Sequence, residues 1–120
     1  MNLKHCMSEN EKDSVRLKHI SDAIATIERH LDGVSAEAFH SNELLVNLLA
    51  RQLSIIGEAM DCLSEAFKQQ NPNFPYRDAK DMRNFLIHEY FGVSEKVLWD
   101  TYTKNIPHLK EMLTEIQKMD

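Results

Sequence analysis

Glycine, proline and cysteine are scarce in this chain of 120 residues: three, three and two. Three glycines, each near a helix end or a packing position, are too few for a loop that cradles phosphate. Two cysteines, Cys6 and Cys62, make no CxxC and no disulfide framework. Cys62 falls within an apolar helical pattern and reads as a buried thiol, which points to a reducing, cytoplasmic compartment. No apolar run approaches the ~20 residues of a membrane span. The polar start, with Lys4 and His5, lacks the apolar core of a secretory signal. The six histidines are scattered and show no HExxH or Cys/His metal spacing. Glu37 and His40 form one Glu-x-x-His pair, whereas a di-iron bundle needs two such pairs and two further glutamates. There is no GxSxG elbow, no oxygen-rich metal cage and no RNA-stacking aromatic platform. The net charge of −5 argues against broad binding to a nucleic-acid backbone, though not against a local cationic cleft.

What is present is helical periodicity. Residues 1–13 are polar, lack a period and read as a flexible tail. Residues 14–120 read as one domain. Asp13 and Ser14 offer an N-cap, and Leu17, Ile20, Ile24, Ile27 and Leu31 recur every three or four residues, so a first helix is expected over about 14–32, stopped by Gly33. Ser35 can cap a short helix from Ala36 to about His40. Asn42 can cap the longest helix, about 43–70, whose dense apolar residues make it central. Gly57 within it costs helix propensity and is expected to permit a close helix–helix approach. Arg51 and Glu58, seven apart, share a face and read as an exposed or inter-helix ion pair. The prolines of Asn71-Pro72-Asn73-Phe74-Pro75-Tyr76-Arg77 impose a loop, with Phe74 and Tyr76 pinning it to the core. Asp78 then caps a helix over about 79–91, Ser94 caps another over about 95–104, and Pro107 stands near the start of a last amphipathic helix carrying Leu109, Met112, Leu113 and Ile116. No strand-like alternation appears. The expected fold is all-α, an antiparallel bundle of four to five main helices with short connections.

The chemistry concentrates in Met82-Arg83-Asn84-Phe85-Leu86-Ile87-His88-Glu89-Tyr90-Phe91-Gly92. At about 100° per residue, Arg83, Ile87 and Tyr90 fall within roughly 60° of one another, and Asn84 and His88 continue that side. Met82, Phe85 and Leu86 lie opposite, toward a core. A guanidinium, a carboxamide, an imidazole and a phenol on one face can bind a phosphate and move a proton. The same residues also fit a structural role: Arg83 paired with a carboxylate, His88 half-buried, Tyr90 at a rim.

Arg83-Asn84-x-Leu86-Ile87-His88-x-Tyr90-Phe91-Gly92-Val93 resembles the R-x4-H-x-Y signature of HEPN domains of the HepT-like toxin group. Leu53-Ser54-Ile55-Ile56-Gly57-Glu58-Ala59 is similar to that family's IIGEA segment, and Asn73-Phe74-Pro75-Tyr76-Arg77 to its proline–aromatic–arginine loop. Val97-Leu98-Trp99 and Asn105-Ile106-Pro107-x-Leu109 match its closing helices. The likeness runs in one order over about residues 14–118. Asp81 stands where the family often has Gly, and Tyr76 where Trp is frequent. The resemblance implies a metal-independent, cofactor-free endoribonuclease, the toxin of a toxin–antitoxin pair, working as a homodimer on RNA; the acidic net charge suits a restricted substrate such as structured tRNA, and no DNA or membrane partner is expected. The resemblance implies Arg83 and His88 as the catalytic pair, Asn84 as an assistant and Tyr90 as the residue that a nucleotidyltransferase antitoxin of the MntA type modifies with AMP. The two other readings are a non-catalytic helical module that binds such a nucleotidyltransferase, and a plain helical scaffold.

Overall fold

The computed structural model describes residues 12–88 and 94–118. Seven α-helices succeed one another there, with no strand among the described residues: α1 (Asp13–Leu31), α2 (Ala36–His40), α3 (Glu43–Asp61), α4 (Glu65–Gln70), α5 (Tyr76–His88), α6 (Glu95–Asp100) and α7 (Ile106–Lys118). A wide π-turn, Thr101–Asn105, joins the last two. Residues 1–11, most of the expected tail, lie outside the described residues, as does the Gly92 stop. No described helix is long and apolar enough to cross a membrane.

Side-chain caps set most of the helix starts. Ser35 Oγ accepts from Ala38 N–H at 3.1 Å, Asn42 Oδ1 from Leu45 N–H at 3.1 Å, and Ser94 Oγ from Val97 N–H at 3.4 Å. Each bond satisfies an amide that the helix itself leaves open. Gly33, at φ +78°, lets the chain leave α1 through a left-handed turn.

α3 is the central helix and packs mainly on α1 and α5. The α1 stripe Leu17, Ile20, Ile24, Ile27 and Leu31 is buried against Leu49, Leu53, Ile56 and Met60 of α3. Leu109 and Leu113 of α7, Leu98 of α6 and Leu86 of α5 close the core. Phe74 is buried in T-shaped contact with Phe67 and Tyr76, and Tyr76 Oη donates to the Asn71 carbonyl at 2.8 Å. The aromatic pair thus fixes the proline loop, as its sequence indicates.

Four expectations need correction. The 43–70 helix is two helices, broken after Asp61. Ser64 Oγ caps α4 by accepting from Phe67 N–H at 3.1 Å. The Asp13 carboxylate, expected to cap α1, instead accepts from Ser64 N–H at 2.8 Å and from Ser64 Oγ at 2.6 Å. The α1 N-cap position, Lys12, makes no side-chain cap bond. Second, α5 begins at Tyr76, so Asp78 sits in its first turn, where a carboxylate complements the helix dipole. Third, the helix expected to run to 104 gives way to the π-turn at Thr101. Pro107 explains it: its ring would meet the Thr103 carbonyl in a regular helix and it offers no amide. The wide turn relieves that clash, and Thr101 and Thr103 bond back to the Val97 and Trp99 carbonyls at 2.8 and 3.0 Å. Fourth, Cys62 is half-buried and disulfide-bonded, not a buried free thiol. Cys6 lies outside the described residues.

α3 and α5 are nearly in backbone contact at Gly57. A Cβ there would stand 2.6 Å from the Arg83 Cβ and 2.7 Å from the Ala79 carbonyl oxygen. Only a residue without a side chain lets α5 lie this close to α3. Gly57→Ala is therefore expected to lower the unfolding free energy by about 1–3 kcal/mol in urea titrations, the usual cost of an overpacked contact. A variant as stable as the parent would mean that the seam opens without resistance.

Candidate active site

Backbone approach and charge together position Arg83. Its Cβ lies against Gly57, and its side chain is 7% exposed. The face of α5 that the sequence reads as lying opposite the core is therefore divided. Arg83 turns inward at the α3 seam beside buried Leu86, whereas Asn84 is half-buried and Ile87 is 54% exposed.

A buried guanidinium needs a compensating charge. Asp61, the last residue of α3, supplies it: Arg83 Nη2 stands 3.8 Å from Asp61 Oδ2, and Lys80 Nζ stands 3.9 Å from Oδ1. Lys68 Nζ donates to the Asp61 carbonyl at 3.0 Å. A carboxylate at the C-terminal end of a helix opposes the dipole, so three cations around it are its compensation. Asp61 escaped the sequence reading. Its signal was that unfavourable location, an acid where a helix ends.

His88 closes the described part of α5. Helix geometry sets its backbone about 7.5 Å along the axis from Arg83 and about 140° around it. Tyr90, with the end of the R-x4-H-x-Y segment, lies outside the described residues. Arg83 and Asn84 are thus placed by α5, His88 by its backbone alone.

Arg51 and Glu58 are exposed on α3 and line an open groove of about 1100 Å³ with Asn47, Ser54, Leu86 and Ile87. His40 and Glu95 stand in the same groove, His40 Nδ1 lying 3.2 Å from Glu95 Oε2, an ion pair whenever the imidazole is protonated. The expected Arg51–Glu58 ion pair is not formed among the described residues; both side chains border an opening that reaches the outer side of α5. On the opposite side of α5, Ala79 and Met82 border a separate, mainly apolar cavity of about 200 Å³, and neither Arg83 nor Asn84 lines it. Among the described residues, no three His, Cys, Asp or Glu side chains are grouped to hold a metal ion.

The family described as "Ribonuclease HepT-like" matches residues 20–116. A protein of Caldanaerobacter subterraneus subsp. tengcongensis, named "Putative RNase TTE0752", is 36% identical over 100 residues, covering 83% of this chain and 89% of that protein. A Thermococcus cleftensis protein named "Probable ribonuclease HepT" is 37% identical over 112 residues, covering 93% of this chain and all of that one. No solved structure matches the chain.

Removing the Asp61 carboxylate takes an anion away from the buried Arg83 guanidinium. Asp61→Ala is expected to destabilise the fold by about 1–3 kcal/mol in urea unfolding. A loss below about 0.5 kcal/mol, the range of ordinary surface substitutions, would mean that Asp61 is not what holds the arginine in the seam.

Proposed function

The chain belongs to the HepT-like ribonuclease family, and on that premise we propose that it is a metal-independent endoribonuclease whose site is built from Arg83, Asn84 and His88. The observation that carries the reading is the placement of Arg83, Asn84 and His88 on one helix, α5, with Arg83 held in position against α3. RNA holds its own nucleophile close to phosphorus, so a positioned 2′-hydroxyl needs only proton transfer and charge stabilisation. The neutral His88 imidazole takes the 2′-hydroxyl proton as the oxygen attacks phosphorus. The bond to the 5′-oxygen breaks, a protonated imidazole returns a proton to that oxygen, and a 2′,3′-cyclic phosphate and a 5′-hydroxyl result. Arg83 stabilises the charge that builds on the phosphoryl oxygens. At a water-poor seam its charge is screened less than at a free surface. Asn84 orients the phosphate by hydrogen bonding.

One helix places Arg83 and His88 on different sides, which is awkward for a single chain. A homodimer with two such helices facing across a two-fold axis brings two guanidiniums and two imidazoles to one phosphate. The proposal extends to regulation. The protein is the toxin of a toxin–antitoxin pair, acts on structured RNA such as tRNA, and is silenced when a small nucleotidyltransferase antitoxin adds AMP to Tyr90. AMP there adds bulk and negative charge that competes with RNA for the arginine.

The 7% exposure of Arg83 and its neighbour Asp61 favour a second reading, in which the arginine is structural and the bundle is a non-catalytic partner of the nucleotidyltransferase. Induced expression without any partner separates the two. The ribonuclease reading expects growth arrest and new RNA fragments for the parent, with loss of at least a hundredfold in cutting for His88→Ala, whose fold persists. Intact RNA for both, with soluble protein present, would hand the case to the binding module. Tyr90→Phe is expected to cut as the parent does and to escape inhibition by the nucleotidyltransferase with ATP. Full inhibition of Tyr90→Phe under turnover conditions would sink the modification idea.

A further inference from the structure

The outward side of α5 carries two cations, Arg77 and Lys80, that the proposed chemistry leaves unused. Arg77, Lys80, Asn84 and Ile87 are spaced three, four and three residues apart, within about 80° of one another around the helix. His88 continues the stripe at its edge. Arg77, Lys80 and Ile87 are exposed and Asn84 is half-buried. One end of the stripe is therefore cationic and the other carries the candidate catalytic residues.

The charges are free to act outward. Arg77 makes no ion pair among the described residues. Lys80 is 52% exposed and reaches Asp61 only at 3.9 Å, so its ammonium keeps most of its contact with solvent. Three other lysines are tied more closely to carboxylates: Lys18 to Asp22 at 3.2 Å, Lys96 to Asp100 at 2.9 Å and Lys110 to Glu28 at 3.0 Å. Of the acids on α5, Asp78 borders the apolar cavity on the far side, and Asp81 lies on the flank of the stripe. In a chain of net charge −5, a line of two outward cations leading to the candidate site is a local exception.

We propose that Arg77 and Lys80 form a phosphate-binding track that holds RNA a few nucleotides away from the bond to be cut. This rests on the ribonuclease reading and deepens it. At 1.5 Å per residue, Lys80 and Arg77 stand about 12 and 17 Å along the axis from His88. Those distances are too long for contact with the scissile phosphate and suit neighbouring phosphates of the same strand. Arg77 grips a phosphate through two parallel N–H donors, and Lys80 acts as a point charge. The track gives an acidic protein a purchase on RNA and fixes the direction in which the strand crosses α5.

The test measures the salt dependence of binding and cutting. Fluorescein-labelled single-stranded RNA is titrated against the full chain carrying His88→Ala, with and without Arg77→Ala and Lys80→Ala, and bulk tRNA is cut by the corresponding proteins with His88 intact. Neutralising both residues is expected to weaken binding about tenfold, to make the slope of log affinity against log salt shallower by about 1.4, and to lower kcat/KM through KM. Arg77→Lys with Lys80→Arg is expected to restore the slope. Arg29→Ala, an exposed arginine on α1, is the control for net charge. An unchanged slope with active parent protein overturns the track and leaves the ribonuclease reading standing. So does an equal shift from Arg29→Ala, or a fall in kcat with KM unchanged. Unchanged RNA parameters with lost nucleotidyltransferase binding would assign the stripe to a protein and overturn it too. If the parent neither binds nor cuts RNA, the track and the ribonuclease reading fall together.

Discussion

The structure depends on how near two helices come at Gly57. Helix axes in proteins stand roughly 8–10 Å apart according to the side chains between them, and a residue without a side chain permits the near end of that range. Because α5 lies against α3 there, Arg83 is carried into the seam rather than left in solvent. Its burial then demands a carboxylate, and Asp61 stands where α3 stops. The end of α3 is fixed in turn by Ser64, which starts the next helix and is held by Asp13 of α1. A packing glycine, a buried charge, a helix boundary and a long-range hydrogen bond thus form one chain of causes.

The division of α5 into an inward and an outward arginine has chemical meaning. Arg77 and Arg83 differ in surroundings far more than in sequence. Arg83 is held rigid against backbone, next to a carboxylate and away from water. Such a charge changes little in position when a ligand arrives, so little reorganisation is needed as a transition state forms. Arg77 is exposed, retains its rotamer freedom and is screened by salt. The first suits stabilisation at one atom, and the second suits capture of a strand.

Much of the architecture was legible in the chain. The α1 stripe, the caps at Ser35, Asn42 and Ser94, the proline loop and the close approach at Gly57 all arise from local chemistry and hold in the structure. What was missed is non-local. The apolar density through residues 43–70 hides the break after Asp61, because the group that stabilises it, Asp13, is 51 residues away. The burial of Arg83 was invisible to a helical projection, which ranks residues around one helix without knowing how near the next helix comes. Asp61 was passed over because its partners arrive from α4 and α5. His88 and Tyr90 were singled out on the helix face and given their roles by the family resemblance, and that resemblance still carries those roles.

The π-turn at Thr101–Asn105 sets the rotational phase of α7. In an unbroken α-helix Leu98 and Leu109, eleven residues apart, would point within about 20° of each other. The two short helices would then behave as one rod with a single greasy side. By absorbing an additional residue, the wide turn rotates α7 by about 100° relative to α6. α6 can then face α2 and α3 while α7 faces α1. A single stretch of helix is thereby made to serve two neighbours in different directions, much as a crank turns one shaft into two throws.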